Sequence, residues 1–196
     1  MSAASITSTP VIVVSGLPRS GTSLMMNMLQ AGGITIVTDE ERTADDDNPK
    51  GYFELERVKQ LSRGDVSWVA SAQGQAVKVI SALLEHLPPT STYRVLFMRR
   101  RLPEVLASQR KMLERRGEPT DTVPDAMMAS LFEKHLQKIE AWMATQPNMA
   151  VLYLPYHEVA ENPASRIDEI IAFLGLDLDR AKMLTAVDPS LYRNRG

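Results

Sequence analysis

One stretch constrains this chain more than any other: GLPRSGTS, Gly16 to Ser23, set between an apolar run and an apolar helix. Before it, Val11 to Ser15 reads VIVVS, a β-branched run of the kind buried on both faces in a parallel sheet. After it, Ser23 to Ala31 is rich in Leu and Met and reads as a helix that Gly32 and Gly33 stop. The glycines at 16 and 21 let backbone N–H groups turn inward into a concave anion site, and the helix dipole adds to it. Thr22 and Ser23 supply hydroxyls at the helix start, and Arg19 supplies a forked cation. The plainer reading is a strand–helix turn with a useful cap. Strand, paired glycines, cation and hydroxyls together favour oxyanion binding.

The rest of the chain fits one α/β domain. Ile34 to Val37 (ITIV) reads as a second strand, completing the strand–helix–strand unit of a parallel sheet. Further strands are expected at Ala76 to Ile80, Arg94 to Met98 and Met149 to Leu154. Helices are expected roughly over Leu55 to Ser62, Ser81 to His86, Pro103 to Arg115, Pro124 to Thr145 and Pro163 to Leu174. The expected fold is a three-layer α/β domain over residues 1–196. It has about five parallel strands and helices on both faces, with residues 1–9 as a flexible arm.

Composition removes several classes. With 44% hydrophobic and 23% charged residues the chain is globular rather than disordered. It has no cysteine, which excludes disulfides, thiolate metal sites and a cysteine nucleophile. A net charge of −2 speaks against a nucleic-acid partner. No run approaches the ~20 apolar residues of a membrane span, and Met1 to Pro10 lacks the features of a signal peptide, so a cytoplasmic location is expected. The Met-rich face around Met127 and Met128 leaves room for a partner helix, as in a homo-oligomer.

A second anion site is readable in RVLFMRRRLPEVLASQRKM, Arg94 to Met112. A buried strand ends in three arginines, and Ser108 lies on the helix that follows. An arginine at a strand's carboxyl end and a serine on the next helix can converge on one anion at the binding edge of the sheet. Alone, Arg99 to Arg101 reads equally as a solvated basic corner.

The nucleotide-hydrolase loop, GxxxxGK[ST], needs a lysine where this chain has Thr22, which disfavours an ATPase or kinase. GLPRSGTSLMMNMLQ instead resembles the 5′-phosphosulfate loop of the sulfotransferase family, usually PRSGTT or PKTGTT before an apolar helix. That resemblance implies a P-loop-type fold and 3′-phosphoadenosine-5′-phosphosulfate (PAPS) as sulfuryl donor and co-substrate, with no metal required. Pro18, Arg19, Ser20, Gly21, Thr22 and Ser23 would hold the 5′ side of the donor. The family's 3′-phosphate site pairs an arginine with a serine eight positions later, and Arg100 and Ser108 have that spacing. Pro103 sits one place later than usual, so Arg99 and Arg101 stay as alternatives. The implied reaction is sulfuryl transfer to a hydroxyl or amine of an unidentified acceptor. The competing readings are a P-loop nucleotide kinase or hydrolase, and a non-catalytic nucleotide-binding protein on the same scaffold.

Such a transfer needs cations on the leaving phosphate and a base for the acceptor proton. Arg19 and Lys78 are the candidate cations; Lys78 stands in an otherwise apolar strand, where its charge needs a partner or an exit to a cleft. Many cytosolic sulfotransferases carry a histidine two residues after the lysine corresponding to Lys78, where this chain has Ile80. His86, His135 and His157 lie in no matched motif. NPKGYFE, Asn48 to Glu54, resembles a segment of bacterial sulfotransferases between the donor loop and a substrate-lining helix. Glu54 is therefore the first candidate for the base, with Glu40 and Asp39 behind it. The acidic stretch Thr38 to Tyr52 reads as a lid or a disordered cover, and Tyr192 to Arg195 as a frayed end or a late basic loop on the 3′-phosphate.

Overall fold

The protein is described by a computed structural model covering residues 9–39, 53–120 and 122–188. Among these residues the centre is a parallel sheet of β1 (Val11–Gly16), β2 (Ala76–Lys78), β3 (Tyr93–Arg99) and β4 (Met149–Pro155), in the order β2-β1-β3-β4. All six residues of β1 are buried, as a β-branched strand covered on both faces requires.

Alternation along the strands sorts the side chains into two cores. Ile12, Val14, Leu96 and Met98 face a layer formed by α1 (Thr22–Ala31), α4 (Tyr156–Glu161), α5 (Pro163–Leu174) and α6 (Arg180–Ala186). Val11, Val13, Val95 and Phe97 face the other way. There they meet α3 (Asp125–Ala144) and three 3₁₀ helices, Glu56–Arg63, Val69–Ala72 and Ser81–His86. The three-layer expectation holds. The remaining helix, α2 (Leu102–Arg116), starts with Pro103 in its first turn and ends at Gly117, φ +67°.

The strand count falls from about five to four. Ile34 to Val37 forms a single bridge, Ile36 with Ala76, with Val37 N–H donating to the Ala76 carbonyl at 2.8 Å. Three residues after the Gly32–Gly33 turn leave too little pairing to make a strand, and the segment becomes an edging strip beside β2. Likewise β2 stops at Lys78 rather than Ile80, because the 3₁₀ helix begins at Ser81. Two short helices, α4 and α6, carry too few turns to show a periodicity in the sequence. The arm expected over residues 1–9 lies, apart from Thr9, outside the described residues. Among the described residues no helix is long and apolar enough to cross a membrane.

The order places β1 between β2 and β3, so the chain leaves β1 toward one side of the sheet and returns on the other. In parallel sheets such a reversal opens a crevice at the carboxyl ends of the strands. Gly16, Lys78 and Arg99 end strands at that edge, and Arg100 follows directly. Because Phe97 is fully buried and packs edge-on against Tyr153 at 5.6 Å, Phe97→Ala should cost about 3–5 kcal/mol. Urea unfolding would show this as a lower midpoint with an unchanged slope.

Candidate functional site

The glycine loop, residues 16–21, turns sharply between β1 and α1. Gly16 and Gly21 adopt φ +144° and +101°, which disfavour any side chain. Space is also short: a Cβ on Gly21 would lie 2.3 Å from the Tyr156 ring, and one on Gly16 would lie 2.6 Å from the Met98 carbonyl. Arg19 also has a positive φ, +68°, a strained position for a non-glycine residue. The turn closes with Ser20 N–H donating to the Leu17 carbonyl at 3.2 Å. Helix hydrogen bonding begins with Met25 N–H on the Gly21 carbonyl, 3.2 Å, so the preceding N–H groups are the helix's open donors. The first turn of α1 holds no acidic residue and no side-chain cap, which leaves the positive end of the dipole facing the crevice. Thr22 and Ser23 sit there, partly exposed, with Pro18 at the exposed tip. The Ser20 hydroxyl is buried, has no hydrogen-bond partner among the described residues, and borders a cavity of about 250 Å³. Buried hydroxyls are rarely left so, and a bound oxygen would satisfy this one.

Arg100 meets this loop from the end of β3. Its Nε donates to Glu104 Oε2 at 3.0 Å, and its Nη1 donates to the Arg19 carbonyl at 3.1 Å. Its guanidinium also stacks 4.4 Å from the Tyr156 ring centre. The side chains of Arg100 and Glu104 are only 7% and 2% exposed, so this is a buried ion pair, not a basic corner in solvent. Glu104 and Ser108 share a helix face at four-residue spacing. Arg19 crosses back to that face, its Nε donating to Ser108 Oγ at 3.0 Å. Residues 19, 100 and 108 thus meet, with Arg19 as the link between the other two. Arg99 turns away: it stacks on Tyr153 at 4.2 Å and pairs with Glu140 of α3 at 2.5 Å. Arg101 is 61% exposed, and its Nη1 lies 3.9 Å from Glu104 Oε1 at the rim of the Arg100–Glu104 pair.

Sequence reasoning missed Tyr156 and Glu104. Both carry a readable signal: Tyr156 is the first residue after β4, on the same carboxyl edge as Arg100, and Glu104 is one helical turn from it. Burial pushes the Tyr156 phenol above its ordinary pKa, with Glu104 adding and Arg100 and Arg19 opposing, so it stays protonated.

On the other side of β1, Lys78 ends β2 level with Val14, its side chain 9% exposed. Its Nζ lies 3.5 Å from Glu54 Oε1, so the sequence candidates for cation and base do come together. Glu54 enters the 3₁₀ helix Glu56–Arg63, and its carbonyl accepts from Thr38 Oγ1 at 2.8 Å and from Asp39 N–H at 3.3 Å. Glu40 and the acidic residues after it, like Tyr192 to Arg195, lie outside the described residues. Ile80 is 40% exposed beside this pair in sequence, and none of the histidines takes its place. His135 is tied to Ser81 Oγ at 2.8 Å in the seam between α3 and a 3₁₀ helix, His157 stands beside Glu158, and His86 is exposed. Burial, with Lys138 adding and Glu85 opposing, lowers the His135 pKa, which suits a neutral structural imidazole. Among the described residues no cluster of His, Asp or Glu is arranged to hold a metal ion.

The loop geometry makes a prediction. Gly33 has φ +99° with open space around it, so Gly33→Ala carries only the backbone strain, about 1–2 kcal/mol. Gly21→Ala adds the clash with Tyr156 and should cost roughly twice as much, read as the difference between the two urea midpoints.

Comparison with known proteins bears on the family and the fold. The family model described as sulfotransferase domain matches residues 9–194. No curated protein matches the sequence. Solved structures do match in fold. The sulfotransferase domain from the curacin biosynthetic pathway has a TM-score of 0.53 at 14% identity, over 91% of this chain and 78% of that one. The sulfotransferase STF1 from Mycobacterium tuberculosis H37Rv gives 0.56 at 15% identity, over 93% and 71%. A mouse sulfotransferase, SULT7A1, solved with PAP, gives 0.54 at 17%; it matches 91% of this chain, which spans 63% of its length. With the family model matching nearly its whole length, the chain belongs to the sulfotransferase domain family.

Proposed function

We propose that this chain transfers a sulfuryl group from PAPS to a hydroxyl or amine acceptor. The observation that carries the reading is the double link between the donor loop and the start of α2: Arg100 on the Arg19 carbonyl, and the Arg19 guanidinium on Ser108. A nucleotide with anionic groups on both its 5′ and 3′ positions needs two anion sites at a fixed separation, and this link sets one. A nucleoside triphosphate would need the loop alone, with the lysine that Thr22 replaces. In support, the mouse sulfotransferase of similar fold was solved with PAP, the product such a donor leaves behind.

In this reading Pro18, Arg19, Ser20, Gly21, Thr22 and Ser23 hold the 5′ side, and Arg100 with Ser108 holds the 3′-phosphate. A 3′-phosphate that takes up Ser108 frees the Arg19 side chain to turn toward the sulfuryl group. The acceptor oxygen or nitrogen forms its bond to sulfur as the bond from sulfur to the 5′-phosphate oxygen breaks. The electron pair leaves on that phosphate, and the acceptor proton goes to Glu54. Arg19 and Lys78 meet the charge that grows on the leaving group, so the step requires no metal ion. The setting is the cytoplasm, and the partners are one nucleotide donor and one acceptor.

Three measurements test this. Adenosine 3′,5′-bisphosphate should raise the melting temperature by mass action, and ADP or ATP–Mg²⁺ should do so less. A response to ATP–Mg²⁺ with none to the bisphosphate points to a kinase or hydrolase instead. Ser108→Ala should weaken the bisphosphate by about 1.5–3 kcal/mol, the worth of a hydrogen bond to a charged group, and leave adenosine 5′-phosphosulfate nearly unchanged. Arg100→Ala is the harsher variant, because it also strands Glu104 in the interior. Glu54→Gln should lower turnover by ~10²–10⁴ with bisphosphate affinity intact.

A further inference from the structure

The proposed base does not hold itself in place. Glu54 is followed by Leu55, the N-cap of the 3₁₀ helix Glu56–Arg63, and no side chain caps that helix at the cap position. The opening N–H of such a helix is an orphan donor. Here the donor is Glu56 N–H, and its acceptor is Asp39 Oδ2, 2.5 Å away and seventeen residues upstream. The same Asp39 donates its own N–H to the Glu54 carbonyl at 3.3 Å, and Thr38 Oγ1 donates to that carbonyl at 2.8 Å. Asp39 therefore grips the backbone on both sides of Leu55.

The grip is anchored to the sheet. Ala76 N–H donates to the Thr35 carbonyl at 2.9 Å, and Val37 N–H donates to the Ala76 carbonyl at 2.8 Å. Ile36 is paired with Ala76, and extending that register by two residues sets Thr38 level with Lys78. One strip of backbone thus fixes its position against β2, which carries Lys78, and hands that position to Glu54. We propose that Asp39 is a positioning residue for Glu54: its carboxylate caps the helix start and holds the Glu54 side chain at its 3.5 Å approach to Lys78. This rests on Glu54 as the base, and it gives Asp39 a role in which its carboxylate accepts a backbone N–H instead of the acceptor's proton.

The distinction is between an oxygen that accepts a hydrogen bond and a carboxylate that takes a proton. Asparagine keeps the first and lacks the second; alanine lacks both. With the full-length chain, two readouts are taken on Asp39→Ala, Asp39→Asn and Glu54→Gln. The first is amide hydrogen exchange at Glu56. The second is PAP released from PAPS, with 4-nitrophenol or water as acceptor. Asp39→Ala should lose protection at Glu56 and lower kcat by roughly 10–100-fold, as a misplaced group does, with KM for PAPS unchanged. Asp39→Asn should keep both close to wild type. Asp39→Asn falling as far as Asp39→Ala would overturn the proposal, because the charge itself would then be needed. Protection at Glu56 that survives Asp39→Ala would overturn it as well. Glu54→Gln at full turnover would instead remove the base from Glu54 and leave the exchange result standing, so the two failures are distinct.

Discussion

Arg100 carries a permanent charge with almost none of its side chain in water, and such a charge persists only when paired and hydrogen-bonded. Its partners come from separate parts of the chain: Glu104 from α2, the Arg19 carbonyl from the glycine loop, and the Tyr156 ring from the start of α4. Satisfying one guanidinium therefore fixes three elements against each other. The loop's own shape follows. Arg19 is held at a positive φ by the bond to its carbonyl, and Gly21 must lack a side chain because the ring that stacks on Arg100 fills the space beside it. The strain in the loop is offset by the burial of Tyr156 and the pairing of Arg100.

The sheet order decides what this cluster faces. Because β1 is central, its carboxyl end has β2 with Lys78 on one side and β3 with Arg100 on the other. Glu54 and Lys78 pair on the β2 side, and Arg19, Arg100 and Ser108 gather on the β3 side, with the glycine loop between them. Charge is divided accordingly: the β3 side is cationic around one buried carboxylate, while the β2 side places a carboxylate against a lysine. Such a division suits a reaction in which negative charge grows on a leaving phosphate while a proton departs from an acceptor.

The two halves of the site rest on different kinds of support. The β3 half is built on strands and helices whose hydrogen bonding is internal, and Arg19 and Arg100 join them. The β2 half is built on a bridge of one residue pair and the start of a 3₁₀ helix, so its geometry depends on single contacts such as those of Thr38 and Asp39. Local stability follows the density of such contacts.

The buried strand, the glycine loop, α1 and the spacing of Arg100 to Ser108 were legible in the sequence because each is local: β-branched runs, glycines and helical spacing act over a few residues. So were the helices that begin at prolines. The weak fifth strand was not, since ITIV has strand propensity but only a single paired residue to satisfy it, and pairing is a property of the neighbour. Which of the three arginines turns inward was likewise undecidable from RRR. Glu104, Tyr156 and Glu140 sort them by ion pairing and stacking, and those partners lie 4 to 56 residues away from the arginines they hold. The sequence by itself determined an α/β chain with two anion-binding motifs, because backbone propensity and motif spacing are written locally. Only the tertiary structure decided that Arg19 reaches Ser108, that Lys78 meets Glu54, and that Asp39 serves the helix that Glu54 precedes, because a buried charge or an open N–H takes whichever partner the packing brings within reach.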